Sequence, residues 1–193
     1  MRKIMIILAG GQSQRMGGID KGEMLLGEMR LIDHTVKKSV TQADQVIISG
    51  TYDYGTGLKT IPDHKGGPKG PAAAIYATHI WLKEHNPQAH GFFTVPVDGP
   101  FVPEDLVARL SGTGVSAIAA GDDGLHPTFA YWSLVALEKA WPVLIEQESL
   151  SLRALARTCD AAHIHWSNAD MFFNINTPSD LKEAATRLEP TTD

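Results

Sequence analysis

The stretch "IMIILAGGQSQRMGGIDKG", residues 4–22, begins with an apolar run and continues directly into a loop rich in glycine. Five apolar residues in succession are typical of a short strand that is buried on both faces of a parallel sheet. Ordering glycine costs backbone entropy, so the five glycines between residues 9 and 22 need an explanation. Two interpretations are open: a flexible surface loop with solvated cations, or a cradle for a phosphate group.

Beyond this stretch, apolar runs alternate with segments of helical periodicity. This alternation predicts an α/β fold of three layers, α/β/α, in which a mostly parallel sheet has helices on both sides. Antiparallel pieces are expected late in the chain, around residues 115 to 173. Strands are predicted at residues 4–8, 45–49, 58–61, 90–97, 115–120, 127–132, 161–166 and 171–173. Helices are predicted at residues 31–41, 71–84, 103–110, 134–145 (interrupted by Pro142), 150–157 and from 178 onward.

The composition bounds the class of protein. A length of 193 residues predicts a single domain, 1–193, and 43% hydrophobic residues are ordinary for a globular chain. The net charge of -5 argues against a nucleic-acid partner. One cysteine, Cys159, excludes an internal disulfide and fits a reducing compartment. The first apolar run is too short for a signal peptide, and no stretch resembles a membrane span, so we expect a cytoplasmic protein with no membrane partner.

The glycine-rich loop leaves the first strand at its carboxyl end, where parallel sheets bind ligands. Gly10 and Gly11 allow a sharp turn with several backbone N–H groups aimed at one anion, and Arg15 and Lys21 add positive charge. Two known phosphate loops do not fit. The P-loop requires Ser or Thr after its lysine, but Gly22 follows here, and the G-x-G-x-x-G spacing is absent.

A third pattern fits this loop. It resembles the signature of the molybdenum cofactor guanylyltransferase (MobA-like) family of nucleotidyltransferases, which have a Rossmann-like nucleotidyltransferase fold. The resemblance implies that the loop binds a nucleotide and that its two cations, with catalytic roles, hold the phosphates. In this superfamily, glycine at the position of Gly10 is frequent in guanine-using enzymes, which favours GTP. The matching residues are Leu8, Ala9, Gly10, Gly11, Ser13, Arg15, Met16, Gly17 and Lys21.

An acidic residue follows the predicted strand in "FFTVPVDGPFVP", residues 92–103. By itself, Asp98 is either a ligand for Mg²⁺ or a turn-forming residue before Gly99. The resembling family carries D-x-P-F/Y-x-P here, matched by Asp98, Pro100, Phe101 and Pro103. The resemblance therefore implies Mg²⁺ as cofactor, with Asp98 as metal ligand, catalytic residue and nucleotide contact.

Further nucleotide contacts are implied by "TIPDHKGGPKGPAAAIYA", residues 60–77, through Asp63, Gly70 and Pro71. Ala72 and Ala74 stand where the family usually has Leu and Gly. Two lysines of this segment, Lys65 and Lys69, are interpreted as solvated, with attraction of an anionic acceptor as the alternative.

Another nucleotide contact departs from the family. Ser49 stands where the family usually has Asn, and its hydroxyl keeps one hydrogen bond but lacks the two-sided reach of an amide. Ser49 is carried over as a nucleotide-binding residue on this basis.

Acceptor contacts are implied by two later motifs. In "GLHPTFAYW", residues 124–132, His126 has either an acceptor-side role or simply opens a strand. In "FFNINTPSDL", residues 172–181, Asn174 and Asn176 are expected on one face of a strand, where both could touch the acceptor or the metal shell. Thr177 and Asp180 have the spacing of a capping box at a helix start.

The resemblance as a whole implies transfer of GMP from Mg-GTP to the phosphate of molybdopterin or molybdenum cofactor, with release of pyrophosphate, in molybdopterin guanine dinucleotide biosynthesis. Proteins that deliver the cofactor are further partners that it leaves open. Two alternatives remain: a relative that uses CTP or a sugar phosphate acceptor, and a non-catalytic nucleotide-binding homologue. Ser49, Ala72 and Ala74 motivate the second alternative.

Overall fold

The computed structural model describes residues 2–9, 20–148 and 150–188. No helix within these ranges combines the length and the apolar character needed to cross a bilayer. The strands are β1 Ile4–Leu8, β2 Leu25–Leu26, β3 Met29–Arg30, β4 Gln45–Ser49, β5 Lys59–Ile61, β6 Gly91–Pro96, β7 Ala117–Gly121, β8 Gly124–Ser133 and β9 Ala162–His165. The helices are α1 Leu31–Val40, α2 Ala73–His85, α3 Leu106–Ser111, α4 Leu134–Glu146, α5 Leu152–Thr158 and α6 Pro178–Leu188, with 3-10 turns at Lys21–Glu23 and Ala169–Phe172.

One sheet of seven strands forms the centre of the fold, in the order β5-β4-β1-β6-β8-β7-β9. The first strand, β1, pairs in parallel with β4 and with β6, so that Ile7 lies between Ile48 and Val95. The strand β8 runs antiparallel to both β6 and β7, whereas β9 is parallel to β7. The prediction of a mostly parallel sheet with antiparallel pairing late in the chain is confirmed for this sheet. A separate antiparallel pair, β2 with β3, lies early in the chain and was not predicted.

Both faces of the sheet are covered by helices. On β1, Ile4 and Ile6 belong to a buried cluster that includes residues of α2, α4 and α5. Their neighbours Met5 and Ile7 belong to a second cluster that includes residues of α1 and α3. Successive side chains of a strand point to opposite faces, so one apolar run supplies both cores. The three-layer α/β/α prediction is confirmed.

Two local predictions are wrong. Residues 171–173 do not form a strand, because the chain turns there in the Ala169–Phe172 3-10 helix, which buries Phe172 against Phe129 and Trp166. Pro142 does not interrupt α4, which continues through it. A proline removes one backbone hydrogen bond, and the buried side chains of Trp141 and Leu144 hold the helix against the sheet despite that loss.

The thiol of Cys159 lies at the end of α5 with 7% of its surface exposed, and burial raises its pKa to about 12. At pH 8 only about one thiol in 10⁴ is therefore ionised, and thiolate is the reactive form. We expect a disulfide reagent such as Ellman's reagent to modify the native protein at least about 100-fold more slowly than a free thiol. Unfolding in urea should remove this protection. Rapid labelling of the native protein would contradict the core position of Cys159.

Candidate active site

The carboxyl ends of the three neighbouring strands β4, β1 and β6 form the base of the candidate site. The backbone N–H of Ala9 donates a hydrogen bond of 3.1 Å to the hydroxyl of Ser49, across the ends of β1 and β4. On the other side of β1, the Val97 N–H donates to the Leu8 carbonyl at 3.1 Å. These contacts place Leu8, Ala9 and Ser49 beside one another, and Asp98 follows directly after Val97.

The ammonium group of Lys21 occupies the centre of a polar cluster at this edge. It donates to Asp98 Oδ2 at 2.6 Å and to Asn176 Oδ1 at 2.7 Å. Lys21 and Asp98 keep only 15% and 21% of their side-chain surface exposed, so the pair is partly shielded from solvent. The structure thus brings together three of the residues predicted from separate motifs, 77 and 155 positions apart in the chain.

The segment that carries Asn176 is held by backbone hydrogen bonds. The Ile175 N–H donates to the Asp98 carbonyl at 2.8 Å, which fixes the segment against the end of β6. Asp180 Oδ2 accepts from the backbone N–H groups of Asn176 and Thr177 at 2.8 and 2.9 Å, and the Thr177 hydroxyl accepts from the Asp180 N–H. The predicted capping box is therefore formed. The hydrogen bond from the backbone N–H of Asn176 is the main reason that the pKa of Asp180 lies below its usual value.

The strand expected to carry Asn174 and Asn176 is absent, because these residues lie in the connection between the 3-10 helix and α6. The prediction that they share one face of a strand is therefore wrong. Both are nevertheless near Asp98. The Oδ1 atom of Asn174 is buried and has no hydrogen-bond partner among the described residues. A Cβ atom on Gly99 would lie 3.1 Å from it and 2.7 Å from Phe129 Cζ, so the absence of a side chain at Gly99 allows this close packing.

A cavity of about 860 Å³ opens beside this cluster, a volume typical of small-molecule sites. Five residues predicted to bind the nucleotide lie in its wall: Leu8, Asp63, Gly70, Pro71 and Asp98. The other lining residues are His64, Gly66, Gly67, Pro68, Lys69, Ala73, Ala74, Pro96, Thr128 and Leu152.

His126 lies apart from the cavity wall. Its Nε2 atom is 2.9 Å from Asp123 Oδ1, and its ring stacks on Phe172 at a centroid distance of 4.6 Å. The strand β8 already begins at Gly124, so the His-Pro pair does not open it. Thr128, two positions later in the same motif, lines the cavity instead.

Three of the predicted site residues, Gly10, Gly11 and Arg15, lie outside the described residues. Sequence reasoning did not assign site roles to Thr128, Leu152 or His64. For Thr128 the only available signal was its place in the His-Pro-Thr motif.

Comparison with known proteins decides the family. Residues 5–162 match the model of the MobA-like NTP transferase domain. This chain belongs to the MobA-like NTP transferase family. The resemblance noted in the glycine-rich loop is therefore confirmed. The Asn174–Asp180 segment of this MobA-like chain lies beyond the matched range.

Relatives of this MobA-like chain match over most of its length. A molybdenum cofactor guanylyltransferase from Rhodopseudomonas palustris (strain HaA2) is 34% identical over 190 residues, covering 93% of this chain and 89% of that protein. The crystal structure of molybdopterin-guanine dinucleotide biosynthesis protein A from Archaeoglobus fulgidus has a TM-score of 0.71 at 21% identity, with 95% and 97% of the two chains covered. A manganese complex of a Mycobacterium tuberculosis protein has a TM-score of 0.64 at 14% identity, with 97% and 100% covered. The two structural matches support the fold.

The departures of this MobA-like chain from the family pattern fall in different environments. Ala72 is completely buried in the core under α2 and does not line the cavity. Ala74 does line it, so its methyl group forms part of the wall where a relative with glycine has none. Ser49 is 2% exposed and accepts the Ala9 N–H, so its hydroxyl holds the strand ends together. Among the described residues, only Ala74 changes the cavity lining.

The donor set of this MobA-like site fits a hard divalent cation. Asp98 offers a carboxylate, and Asn174 and Asn176 offer amide oxygens, which are the ligand types that Mg²⁺ prefers. No cluster of three or more His, Cys, Asp or Glu side chains suited to a metal occurs in the described part of the chain. A cation held by one carboxylate, amides and substrate phosphates agrees with the usual Mg²⁺ environment. The buried, unpaired Asn174 oxygen is the observation that supports this fit.

Proposed function

We propose that the protein transfers GMP from GTP to the phosphate of molybdopterin, forming molybdopterin guanine dinucleotide and releasing pyrophosphate. The observation that carries the proposal is the meeting of Lys21, Asp98 and Asn176 at the carboxyl edge of the sheet, beside a cavity of nucleotide size. The name of the Rhodopseudomonas relative, molybdenum cofactor guanylyltransferase, supports the choice of substrates.

The reaction requires little acid–base chemistry from the protein. An oxygen of the acceptor phosphate forms a bond to the α-phosphorus, and the bond from that phosphorus to the oxygen bridging to the β-phosphate breaks. A phosphate monoester has a second pKa of about 6, so the acceptor is largely a dianion near pH 7. Its own oxygen is the nucleophile, and no side chain has to remove a proton. The protein must align the two substrates and balance their negative charge.

Charge balance is the role we assign to the cations. Lys21 has three N–H donors, and two of them are directed at Asp98 and Asn176. From this position its ammonium group can donate to an oxygen of the triphosphate and stabilise the departing pyrophosphate. The same role is proposed for Arg15 from the family resemblance.

Divalent-metal binding is assigned to Asp98, with Asn174 and Asn176 beside it. When bound, Mg²⁺ supplies positive charge that lowers the negative charge of the α-phosphate. The M. tuberculosis structural neighbour was solved with manganese, which supports a divalent ion as the cofactor class.

His126 is proposed to act on the acceptor only indirectly, because it lies outside the cavity wall.

Base recognition is assigned to the part of the cavity lining that follows β5. Asp63 carries an exposed carboxylate there, between β5 and α2. A carboxylate accepts two hydrogen bonds side by side, which matches the adjacent N1–H and N2–H donors of guanine. Cytosine presents only its N4 amino group as a donor, so this wall favours GTP over CTP. Leu8, Gly70 and Pro71 complete the proposed contacts with the nucleoside.

The proposal is tested by pyrophosphate release from GTP, CTP and ATP in the presence of molybdopterin and either Mg²⁺ or Mn²⁺. We expect release with GTP alone, coupled to formation of the dinucleotide. Turnover with CTP would favour a cytidylyl-transferring relative, and tight GTP binding without turnover would favour a non-catalytic homologue. Either result would overturn the proposal.

Three broader predictions accompany this function. We propose that residues 1–193 act as one domain, because a single seven-stranded sheet connects the described ranges. A cytoplasmic location stays a prediction that rests on the single cysteine and on the short first apolar run. Transfer of the acceptor from a delivery protein also stays a prediction.

A further inference from the structure

Tyr54 has an unusual backbone and a buried side chain next to the candidate site. It lies in the connection between β4 and β5, with 3% of its surface exposed. Its φ angle is +56°, in the left-handed region that residues other than glycine rarely adopt. A tyrosine held in a costly conformation must be fixed by its surroundings, and such positions cluster near functional sites.

The hydroxyl of Tyr54 reaches the amino end of the 3-10 helix that carries Lys21. It donates to Asp20 Oδ1 at 2.9 Å, and the same oxygen accepts the Gly22 N–H at 2.8 Å. Asp20 is the N-cap of the Lys21–Glu23 helix, so the tyrosine holds the capping carboxylate in place. The ring also packs directly on the helix, because a Cβ atom on Gly22 would lie 2.5 Å from Tyr54 Cε1.

The other end of this helix is tied to the same connection. Glu23 accepts from the Tyr52 hydroxyl at 3.0 Å and from Arg30 Nη1 at 3.1 Å. Arg30 Nη1 also donates to the Tyr54 carbonyl at 3.0 Å, and the rest of its guanidinium is bidentate to Asp33. Asp20 and Glu23 flank Lys21, so both sides of the lysine are anchored to residues 52–54.

We propose that Tyr54 is a positioning residue that holds the Lys21 ammonium group at Asp98, where the triphosphate binds. This inference rests on the proposed function of the site. Tyr54 does not touch the substrate in this proposal. It acts through Asp20 and the helix, and the left-handed backbone allows its carbonyl to reach Arg30 while its ring lies under Gly22.

A tyrosine that only stabilises the fold would show similar contacts, so the experiment must separate the two roles. The test variant is Tyr54→Phe, which keeps the ring on Gly22 and removes only the hydroxyl bond to Asp20. The matched control is Tyr131→Phe, which removes a hydroxyl from another buried tyrosine, on β8. Thermal unfolding of both variants checks that the fold is retained.

The first measurement needs no substrate. Competitive acetylation with acetic anhydride, read by peptide mass spectrometry, reports the access to each lysine. We expect the rate at Lys21 relative to exposed Lys37 to rise about 3-fold or more in Tyr54→Phe, because the helix loosens and the ion pair with Asp98 opens more often. Tyr131→Phe should leave this ratio unchanged. An unchanged ratio in Tyr54→Phe would overturn the inference.

The second measurement compares GMP transfer and GTP binding in two backgrounds. With Lys21 present, Tyr54→Phe is expected to lower kcat about 10-fold and GTP affinity about 3-fold. In the Lys21→Ala background the same substitution should leave GTP affinity unchanged, since its effect passes through the lysine. Equal losses in both backgrounds would show a purely structural role and overturn the inference. If the unmodified protein transfers no GMP while the Lys21 acetylation ratio still rises, the proposed function fails and the positioning role stands.

Discussion

Replacing Asp98 by alanine is expected to reduce the rate of GMP transfer by at least about 10³-fold while leaving the fold intact. The variant loses the proposed metal ligand. It also loses the carboxylate oxygen that accepts the 2.6 Å hydrogen bond from Lys21. The backbone contact from Ile175 N–H to the Asp98 carbonyl does not involve the side chain and is retained. Because Asp98 lines the cavity, solvent can fill the space that its side chain leaves, and we expect the unfolding temperature to fall by only a few degrees.

Asp98→Asn separates charge from shape. The amide keeps the size of the side chain and can still accept from Lys21, but it is a neutral and weaker ligand for a divalent ion. We therefore expect a loss of turnover close to that of the alanine variant. The matched control is Asp44→Asn, because Asp44 accepts the Lys3 N–H at 2.7 Å beside the amino end of β1, the opposite edge of the sheet. Turnover is measured as pyrophosphate release, and a normal rate in Asp98→Ala would refute the role assigned to this carboxylate.

Replacing Lys21 by methionine is expected to change two binding constants in opposite directions. The Lys21 ammonium forms a 2.6 Å ion pair with the Asp98 carboxylate, which is proposed to bind the metal. It competes with a divalent cation for that oxygen and repels it. Two positive charges about 4 Å apart interact by roughly 4 kcal/mol near a protein surface, so even a fraction of this is a large effect. We expect Mn²⁺ affinity without nucleotide to rise about 10-fold, whereas GTP affinity falls and turnover drops by about 10²–10³-fold.

Mn²⁺ binding is measured by electron paramagnetic resonance of the free ion, and GTP binding by calorimetry. Methionine keeps the length of the lysine side chain without its charge, which limits structural change. Lys65→Met is the matched control, since Lys65 is an exposed lysine of the connection between β5 and α2 and does not line the cavity. A weaker Mn²⁺ site in Lys21→Met would show that the lysine supports the metal site and would contradict the competition argued here. Unchanged GTP affinity would remove Lys21 from the phosphate site.

Local sequence features predicted most of the fold. The alternating burial of Ile4 to Ile7 on β1 follows from five consecutive apolar residues, because a strand buried on both faces has no polar side. The start of α6 follows from the spacing of Thr177 and Asp180, whose capping bonds span only four residues. Where a local pattern predicted the wrong element, packing between distant parts of the chain outweighed the local preference. Residues 171–173 read as a strand, but Phe172 is better buried by a 3-10 turn against Phe129 and Trp166.

Several residues of the candidate site could also be predicted from the sequence, but the distances between them could not. A carboxylate after a buried strand and cations in a glycine-rich loop can be recognised in the chain itself, because parallel strands present their carboxyl ends to ligands. The distance from Lys21 to Asp98 could not be derived, since it depends on how the Lys21–Glu23 helix is anchored. Its anchor, Tyr54, belongs to no motif and has no local pattern that would identify it.

The sequence alone therefore determined the layers of the fold, the family resemblance and the separate motifs of the site, since each depends on residues close together in the chain. Only the tertiary structure decided that Lys21 meets Asp98 and Asn176, and that Thr128 rather than His126 lines the cavity. The physical reason is that hydrogen bonds between segments 77 and 155 positions apart depend on strand order and helix packing. No local propensity encodes those contacts.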